Sequence, residues 1–202
     1  AAMFNSQIRW IFFDIGGVLL NDDKPEMLRQ EALLQVAKQY IPGITMDEIL
    51  AAWMAASQVP GSVRMQALHF LMPNSPYLEE AQETYKKVCT YDYQALSYIR
   101  PEAKFVLDQL SQNYKLGLMA NQNIKTMSLL ENFGLLPYLS YQKMSAHVGL
   151  EKPDPNFFLT ILADADAKPD SSVIVDDNWY RGLVPAKSVG MKTLLVRTSS
   201  SL

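Results

Sequence analysis

The stretch "IRWIFFDIGGVLLND", residues 8–22, decides the fold, because an apolar run ends there in a carboxylate and two glycines. The run Ile8–Phe13 is rich in β-branched and aromatic residues, which predicts a buried strand. We expect Asp14 to project from the carboxyl edge of a sheet at the end of this strand. Gly16 and Gly17 permit a tight turn and a close approach of the backbone to a ligand.

Strand and helix patterns alternate along most of the remaining chain. Further apolar runs predict strands at residues 114–120, 172–175 and 192–197. Helical patterns cover residues 101–112, 125–133 and 153–162, and the first and last of these begin with proline. This alternation predicts an α/β fold with a Rossmann-like parallel sheet flanked by helices.

One long segment interrupts the alternation. Residues 24–98 contain four stretches with helical apolar spacing, separated by turn residues, and no convincing strand. We therefore predict an α/β core of residues 8–22 and 99–198 and an all-helical subdomain of residues 23–98. Ligands of open α/β sheets bind at the carboxyl edge of the strands, so we expect the helical subdomain to lie over that edge.

Composition and charge narrow the range of partners. The chain has 202 residues, of which 49% are hydrophobic, and a net charge of −3 without a cluster of basic residues. These features exclude non-specific attraction to nucleic acid or an anionic membrane. A single cysteine, Cys89, excludes an internal disulfide and a cysteine-based zinc site. We expect a cytoplasmic protein, monomeric or homodimeric, that acts on a small molecule.

Two later segments place charged side chains near strand ends. Lys152 in "GLEKPDP", residues 149–155, precedes a proline, which favours extended backbone and lets the long side chain reach outward. The segment "SVIVDDNWYRG", residues 172–182, ends a strand in Asp176 and Asp177. Adjacent carboxylates repel each other unless a cation or a basic group lies between them.

In their order and spacing, these segments resemble the haloacid dehalogenase (HAD) superfamily of hydrolases. The resemblance rests on "FFDIGGVLL", "YKLGLMANQ", "VGLEKPDP" and "VIVDDNWYRGLVPAKSVGMKTLLV", which together span nearly the whole chain. It implies that the helical insertion after the first motif is the family's helical cap. It also implies a Mg²⁺-dependent phosphatase that acts on a small phosphorylated metabolite.

The resemblance further implies roles for individual residues. Asp14 matches the family nucleophile, which forms a covalent aspartyl intermediate, and Lys152 matches the lysine that offsets charge in the transition state. The Mg²⁺ ligands would be the Asp14 carboxylate, the backbone carbonyl of Gly16 and one carboxylate of the Asp176/Asp177 pair. Alignment through "GLVPAKSVGM" favours Asp177.

Substrate-binding positions are implied at Ala120, Asn121 and Gly17. Ala120 occupies the position at which the family usually has a Ser or Thr that hydrogen-bonds the phosphoryl group. Two interpretations of Asn121 remain open at this point: its amide supplies the missing donor, or it only orders the turn.

Three positions depart from the family pattern. Gly16 replaces the usual general acid, Ala120 the usual hydroxyl donor, and Gly182 the second acid of the last motif. Loss of a general acid costs about 10²–10⁴ in rate, so weak activity is expected. Two alternatives follow: a 2-haloacid dehalogenase-type hydrolase, and a catalytically degenerate member that binds a ligand or a protein partner.

Overall fold

The computed structural model describes residues 7–91 and 93–197 of the chain. Residues 92 and 198, which fall in the predicted helical and core segments, lie outside this range. The described residues form two compact units, one of residues up to 21 together with those from 98 onward, the other of residues 22–97. No described helix combines the length and the apolar character needed to cross a membrane.

The described residues are organised into short strands and into helices of up to 15 residues. The strands are β1 (Trp10–Phe13), β2 (Leu20–Asn21), β3 (Tyr98–Ile99), β4 (Lys115–Leu118), β5 (Ser172–Asp176) and β6 (Lys192–Leu195). The helices are α1 (Asp23–Ala37), α2 (Met46–Ser57), α3 (Val63–Leu71), α4 (Leu78–Val88), α5 (Tyr93–Leu96), α6 (Ala103–Ser111), α7 (Thr126–Asn132), α8 (Ser145–Val148), α9 (Pro155–Asp164) and α10 (Val184–Ser188).

A four-stranded parallel sheet in the order β4-β1-β5-β6 is the centre of the first unit. Its flanking helices complete the α/β fold with a Rossmann-like parallel sheet, so the predicted fold class is confirmed. β1 lies between β4 and β5, and Phe13 is level with Leu118 on one side and Val175 on the other. Because this register aligns the carboxyl ends of the three strands, the residues that follow them meet at one edge.

Aromatic packing fixes the central strand. Phe12 is fully buried, stacks on Trp10 with ring centroids 5.1 Å apart, and meets the edge of Tyr141 at 6.3 Å. Phe157 and Phe158 of α9 are also fully buried in the same cluster. Burying a large side chain contributes about 1.5–3 kcal/mol, so these contacts hold β1, and with it Asp14, at a fixed height in the sheet.

The second unit is all-helical and has its own core. Fully buried side chains from α1 to α4 form it, among them Leu33, Val36, Ile49, Leu68 and Tyr85. α2 begins with a capping box, in which the Thr45 amide donates to Glu48 Oε2 at 2.8 Å and the Glu48 amide donates to Thr45 Oγ1 at 3.4 Å.

Two short strands were not predicted. β2 and β3 form an antiparallel pair at the two points where the chain crosses between the units, with Leu20 level with Ile99. Two residues are too few to show a periodic pattern, which is why the sequence does not reveal them. Directly after β3, Arg100 Nη1 donates to the carbonyl of Gly17 at 2.9 Å.

Candidate active site

Three carboxylates meet at the carboxyl edge of the sheet. Asp14 directly follows β1, Asp176 is the last residue of β5, and Asp177 follows it. The amide of Asp14 donates to the carbonyl of Val175 at 2.9 Å, which extends the pairing of the two strands. One oxygen from each carboxylate lies within 4.8 Å of the others.

Lys152 lies between two of these acids. Its Nζ is 3.0 Å from Asp14 Oδ1 and 2.7 Å from Asp176 Oδ2. The residue is only 4% exposed, and Asp176 is fully buried. A buried charge needs a partner of opposite sign, so each of the three groups makes burial of the others possible.

Burial and neighbouring charges shift the pKa values of Asp14 and Lys152 in opposite directions. Burial raises the pKa of Asp14 to about 6, while Lys152 acts to lower it. Burial by itself would lower the pKa of Lys152, but the carboxylates of Asp14 and Asp176 raise that pKa above its usual value. Lys152 is therefore an ammonium ion, and Asp14 is mainly ionised at neutral pH.

The two adjacent acids have different surroundings. Asp176 Oδ2 accepts from Lys152 Nζ, and Asp176 Oδ1 accepts from the amide of Asn178 at 2.8 Å, so both oxygens receive hydrogen bonds from the chain itself. Asp177 is half-buried, and its carboxylate lies against the backbone of Gly17. Asp176 therefore faces Lys152 and the Asn178 amide, whereas Asp177 faces the turn after β1.

The turn after β1 depends on Gly17. This residue has a left-handed φ of +72°, which glycine adopts without strain. A Cβ at this position would lie 2.9 Å from Cγ of Asp177. Glycine at position 17 therefore allows both the turn and the close approach of the Asp177 carboxylate. The Gly17 carbonyl accepts the hydrogen bond from Arg100.

Gly182 has a steric function. It lies in a π-helical turn, Trp179–Leu183, that connects the acid pair to α10. A Cβ on Gly182 would lie 2.6 Å from Asp176 Oδ1 and closer still to the other oxygen. Because real Cβ atoms do not approach so closely, the position predicted to lack an acid has no room for any side chain.

Of the residues that follow β4, Ala120 is hydrogen-bonded to Ser145 and Asn121 to Lys152. Ala120 is fully buried, and its carbonyl accepts from the amide of Ser145 at 3.0 Å. Asn121 Nδ2 donates to the carbonyl of Lys152 at 2.9 Å, and Asn121 Oδ1 accepts from the amide of Lys152 at 2.8 Å. Contact of Ala120, Asn121 and Gly17 with a substrate stays a prediction.

Sequence reasoning missed Arg181. Its Nη2 donates to the carbonyl of Lys152 at 3.2 Å. Burial lowers the pKa of Arg181, and the carboxylates of Glu151, Asp14 and Asp176 act in the opposite direction, so the guanidinium is within electrostatic reach of the acids. The only signal in the sequence was a basic residue four positions after the acid pair.

The cluster of three carboxylates suits a hard divalent cation. Asp14, Asp176 and Asp177 offer oxygen ligands, which Mg²⁺ prefers, and the backbone of Gly16 lies in the adjoining turn. Lys152 and Arg181 together carry two positive charges against three carboxylates, which leaves net negative charge in a partly buried cluster. Such an excess is costly unless a cation offsets it, so the residues present fit a metal site.

Comparison with known proteins agrees with the family resemblance of the sequence motifs. A family model for haloacid dehalogenase-like hydrolases matches residues 8–190. The glyceraldehyde 3-phosphate phosphatase of Pyrococcus furiosus is 25% identical over 193 residues, which cover 93% of this chain and 80% of the relative.

Solved structures show the same fold. A predicted phosphoglycolate phosphatase from Haemophilus somnus superposes with a TM-score of 0.68 at 20% identity, over 95% of this chain and 86% of the other. YfnB from Bacillus subtilis, whose crystal structure is bound to magnesium, superposes with a TM-score of 0.64 at 17% identity, over 94% of this chain and 87% of the other.

Gly17→Ala is expected to weaken Mg²⁺ binding by about 10–100-fold, because the added methyl group displaces the carboxylate of Asp177. Gly43→Ala is the matched control, since Gly43 has a similar φ of +78° and a methyl group there would meet no described atom within 4 Å beyond its chain neighbours. Both variants bear a left-handed backbone cost of about 1–2 kcal/mol. Calorimetric titration with Mg²⁺ and urea unfolding measure the two effects, and equal Mg²⁺ affinity in both variants would contradict the prediction.

Gly182→Asp, which introduces the family's usual acid, is expected to harm the protein. The new side chain must displace the buried carboxylate of Asp176, and overpacking of this kind costs about 1–3 kcal/mol. Gly182→Ala is expected to show most of the same loss in urea unfolding, because the Cβ alone is enough. A gain of activity or stability from either variant would show that the steric explanation is wrong.

Proposed function

This chain belongs to the haloacid dehalogenase-like hydrolase family, and we propose that it is a Mg²⁺-dependent phosphatase for a small phosphomonoester. The observation that carries the proposal is the position of Lys152 Nζ between Asp14 and Asp176, with Asp177 beside them. The relative named glyceraldehyde 3-phosphate phosphatase supports a small phosphorylated substrate.

Asp14, Asp177 and the backbone carbonyl of Gly16 are the proposed Mg²⁺ ligands. Asp177 is preferred to Asp176 because the match of "GLVPAKSVGM" to the family's last motif favours it, while Asp176 is the partner of Lys152 and of the Asn178 amide. When bound, the ion would supply positive charge that offsets the repulsion between the carboxylates and the phosphoryl oxygens.

Asp14 is the proposed nucleophile. One of its carboxylate oxygens attacks phosphorus, the bond from phosphorus to the ester oxygen breaks, and the alcohol leaves with a proton. Water then attacks the phosphorus of the aspartyl phosphate and releases inorganic phosphate, which restores the carboxylate. Lys152 holds Asp14 in place through their 3.0 Å contact and provides fixed positive charge beside the reacting group.

The proposed site lacks a side chain at the position where the family's acid usually stands. Gly16 cannot protonate the departing oxygen, so the proton must come from water or from the substrate. Ala120 likewise offers a methyl group where a hydroxyl would donate, and loss of one such donor costs about 10²–10³. We therefore propose slow turnover that favours good leaving groups.

Asp14→Asn is expected to lower Mg²⁺-dependent phosphate release by at least about 10³-fold, because the amide is a poor nucleophile. The matched control is Asp166→Asn, an isosteric change at an exposed residue whose φ of +51° asparagine also tolerates. Phosphate release from a panel of phosphomonoesters, with and without EDTA, measures the effect.

The same assay separates the alternatives. Halide release from 2-haloacids that EDTA does not affect would indicate a dehalogenase instead. Absence of turnover, combined with a higher melting temperature in the presence of a phosphorylated ligand, would indicate a binding protein without catalysis. Equal activity of Asp14→Asn and the parent would exclude Asp14 as nucleophile.

Leaving-group dependence tests the role of Gly16. The parent is expected to hydrolyse an aryl phosphate about 10²-fold or more faster than an alkyl phosphate, because no acid assists the poorer leaving group. Gly16→Asp is expected to reduce that ratio by raising the alkyl rate. Steady-state kcat/KM for the two substrates measures the ratio, and a parent ratio close to one would show that an acid is present elsewhere.

A further inference from the structure

The backbone of Lys152 is held by side chains. Lys152 lies in an irregular segment between α8 and α9, so neither helix supplies hydrogen bonds to its amide or carbonyl. The side-chain amide of Asn121 bonds to both groups, at 2.8 Å to the amide and 2.9 Å to the carbonyl. Arg181 Nη2 gives the same carbonyl a second hydrogen bond at 3.2 Å.

Asn121 is itself fixed in place. The amide of Ser145 donates to the carbonyl of Ala120 at 3.0 Å, and the amide of Gln122 donates to Ser145 Oγ at 3.0 Å. These bonds tie the residues on either side of Asn121 to the start of α8. The amide group of Asn121 is thus attached to a rigid part of the chain, next to the carboxyl end of β4.

We propose that Asn121, assisted by Arg181, is a positioning residue that holds the Lys152 backbone so that Nζ reaches both Asp14 and Asp176. The lysine side chain is long and has many rotamers. Holding its backbone in one position narrows the range of positions that its ammonium group can take. A displacement of about 1 Å in a catalytic group can cost about 10²-fold in rate. This inference rests on the proposed function, because it deepens the role of Lys152 there.

Two roles of Asn121, donation to the phosphoryl group and action through Lys152, make different predictions. An amide that supplied a donor to the phosphoryl group would act on the substrate whether or not Lys152 were present. An amide that acts through Lys152 has an effect only when the ammonium group is there to be positioned. A double-mutant cycle between the two residues distinguishes these cases.

The cycle compares the parent, Asn121→Ala, Lys152→Met and the double variant. Asn121→Ala is expected to lower kcat by about 30–100-fold in the parent, with little change in KM, and by less than about threefold when Lys152 is already methionine. Equal losses in both backgrounds would overturn the proposal. A loss confined to KM, or to the affinity for inorganic phosphate, would instead assign Asn121 to the substrate.

Two further variants control for folding. Asn123→Ala removes an exposed amide from the same loop, where it accepts only from the Lys125 amide among its described hydrogen bonds, and it is expected to leave kcat unchanged. Asn121→Asp is nearly isosteric and keeps the oxygen that accepts from the Lys152 amide, but it cannot donate to the carbonyl. Because its second oxygen would face the Lys152 carbonyl and repel it, Asn121→Asp is expected to lose at least as much kcat as Asn121→Ala, and a smaller loss would show that the bond to the carbonyl is dispensable.

Labelling of Lys152 tests the inference without turnover. Reductive methylation with formaldehyde and cyanoborohydride, followed by peptide mass spectrometry, reports how often Nζ leaves its buried position. Labelling of Lys152 relative to the exposed Lys143 is expected to rise at least about tenfold in Asn121→Ala and not in Asn123→Ala. An unchanged ratio would overturn the positioning role, whereas a parent that releases no phosphate would overturn only the proposed function.

Discussion

A buried ammonium group between two carboxylates is the contact on which the rest of the site depends. Lys152 Nζ contacts Asp14 at 3.0 Å and Asp176 at 2.7 Å. Without it, the fully buried carboxylate of Asp176 and the mostly buried carboxylate of Asp14 would lie close together without their ammonium partner, and an unpaired buried ion costs several kcal/mol. The parallel register brings the two acids to one edge, and Lys152 makes their burial there possible. Its own position in turn depends on side chains that bind its backbone.

Two glycines make room for the carboxylates of Asp176 and Asp177. Gly17 and Gly182 each lie so close to a carboxylate that a Cβ would displace it, Asp177 in the first case and Asp176 in the second. Any side chain at position 182 would therefore have to displace the buried carboxylate of Asp176. The π-helical turn brings the backbone against Asp176, and that approach excludes an acid as well as any other side chain.

Much of the fold was predictable because apolar spacing is a local property. Apolar spacing predicted the four strands of the parallel sheet and the helical insertion. The observed strands differ from the predicted ones by a few residues at their ends. β2 and β3 are too short to leave a pattern. The hydrogen bonds of Asn121 could not be predicted from the sequence, because its partners are backbone atoms of a residue 31 positions away. Arg181 reaches the same carbonyl from a π-helical turn, which an α-helical pattern does not anticipate.

The balance of charge at this edge bears on the order of events in the proposed reaction. The two positive charges of Lys152 and Arg181 against three carboxylates leave a net negative cluster, and Lys152 is already paired with two of the carboxylates. A phosphate dianion would be repelled by this arrangement, and the repulsion is strong where water is partly excluded. A divalent cation held by the proposed ligands Asp14 and Asp177 would make the net charge of these groups positive, so an incoming phosphate would be attracted rather than repelled. In the proposed reaction, cation binding would therefore precede substrate binding, and Lys152 would serve mainly to keep Asp14 ionised and aligned rather than to attract the substrate.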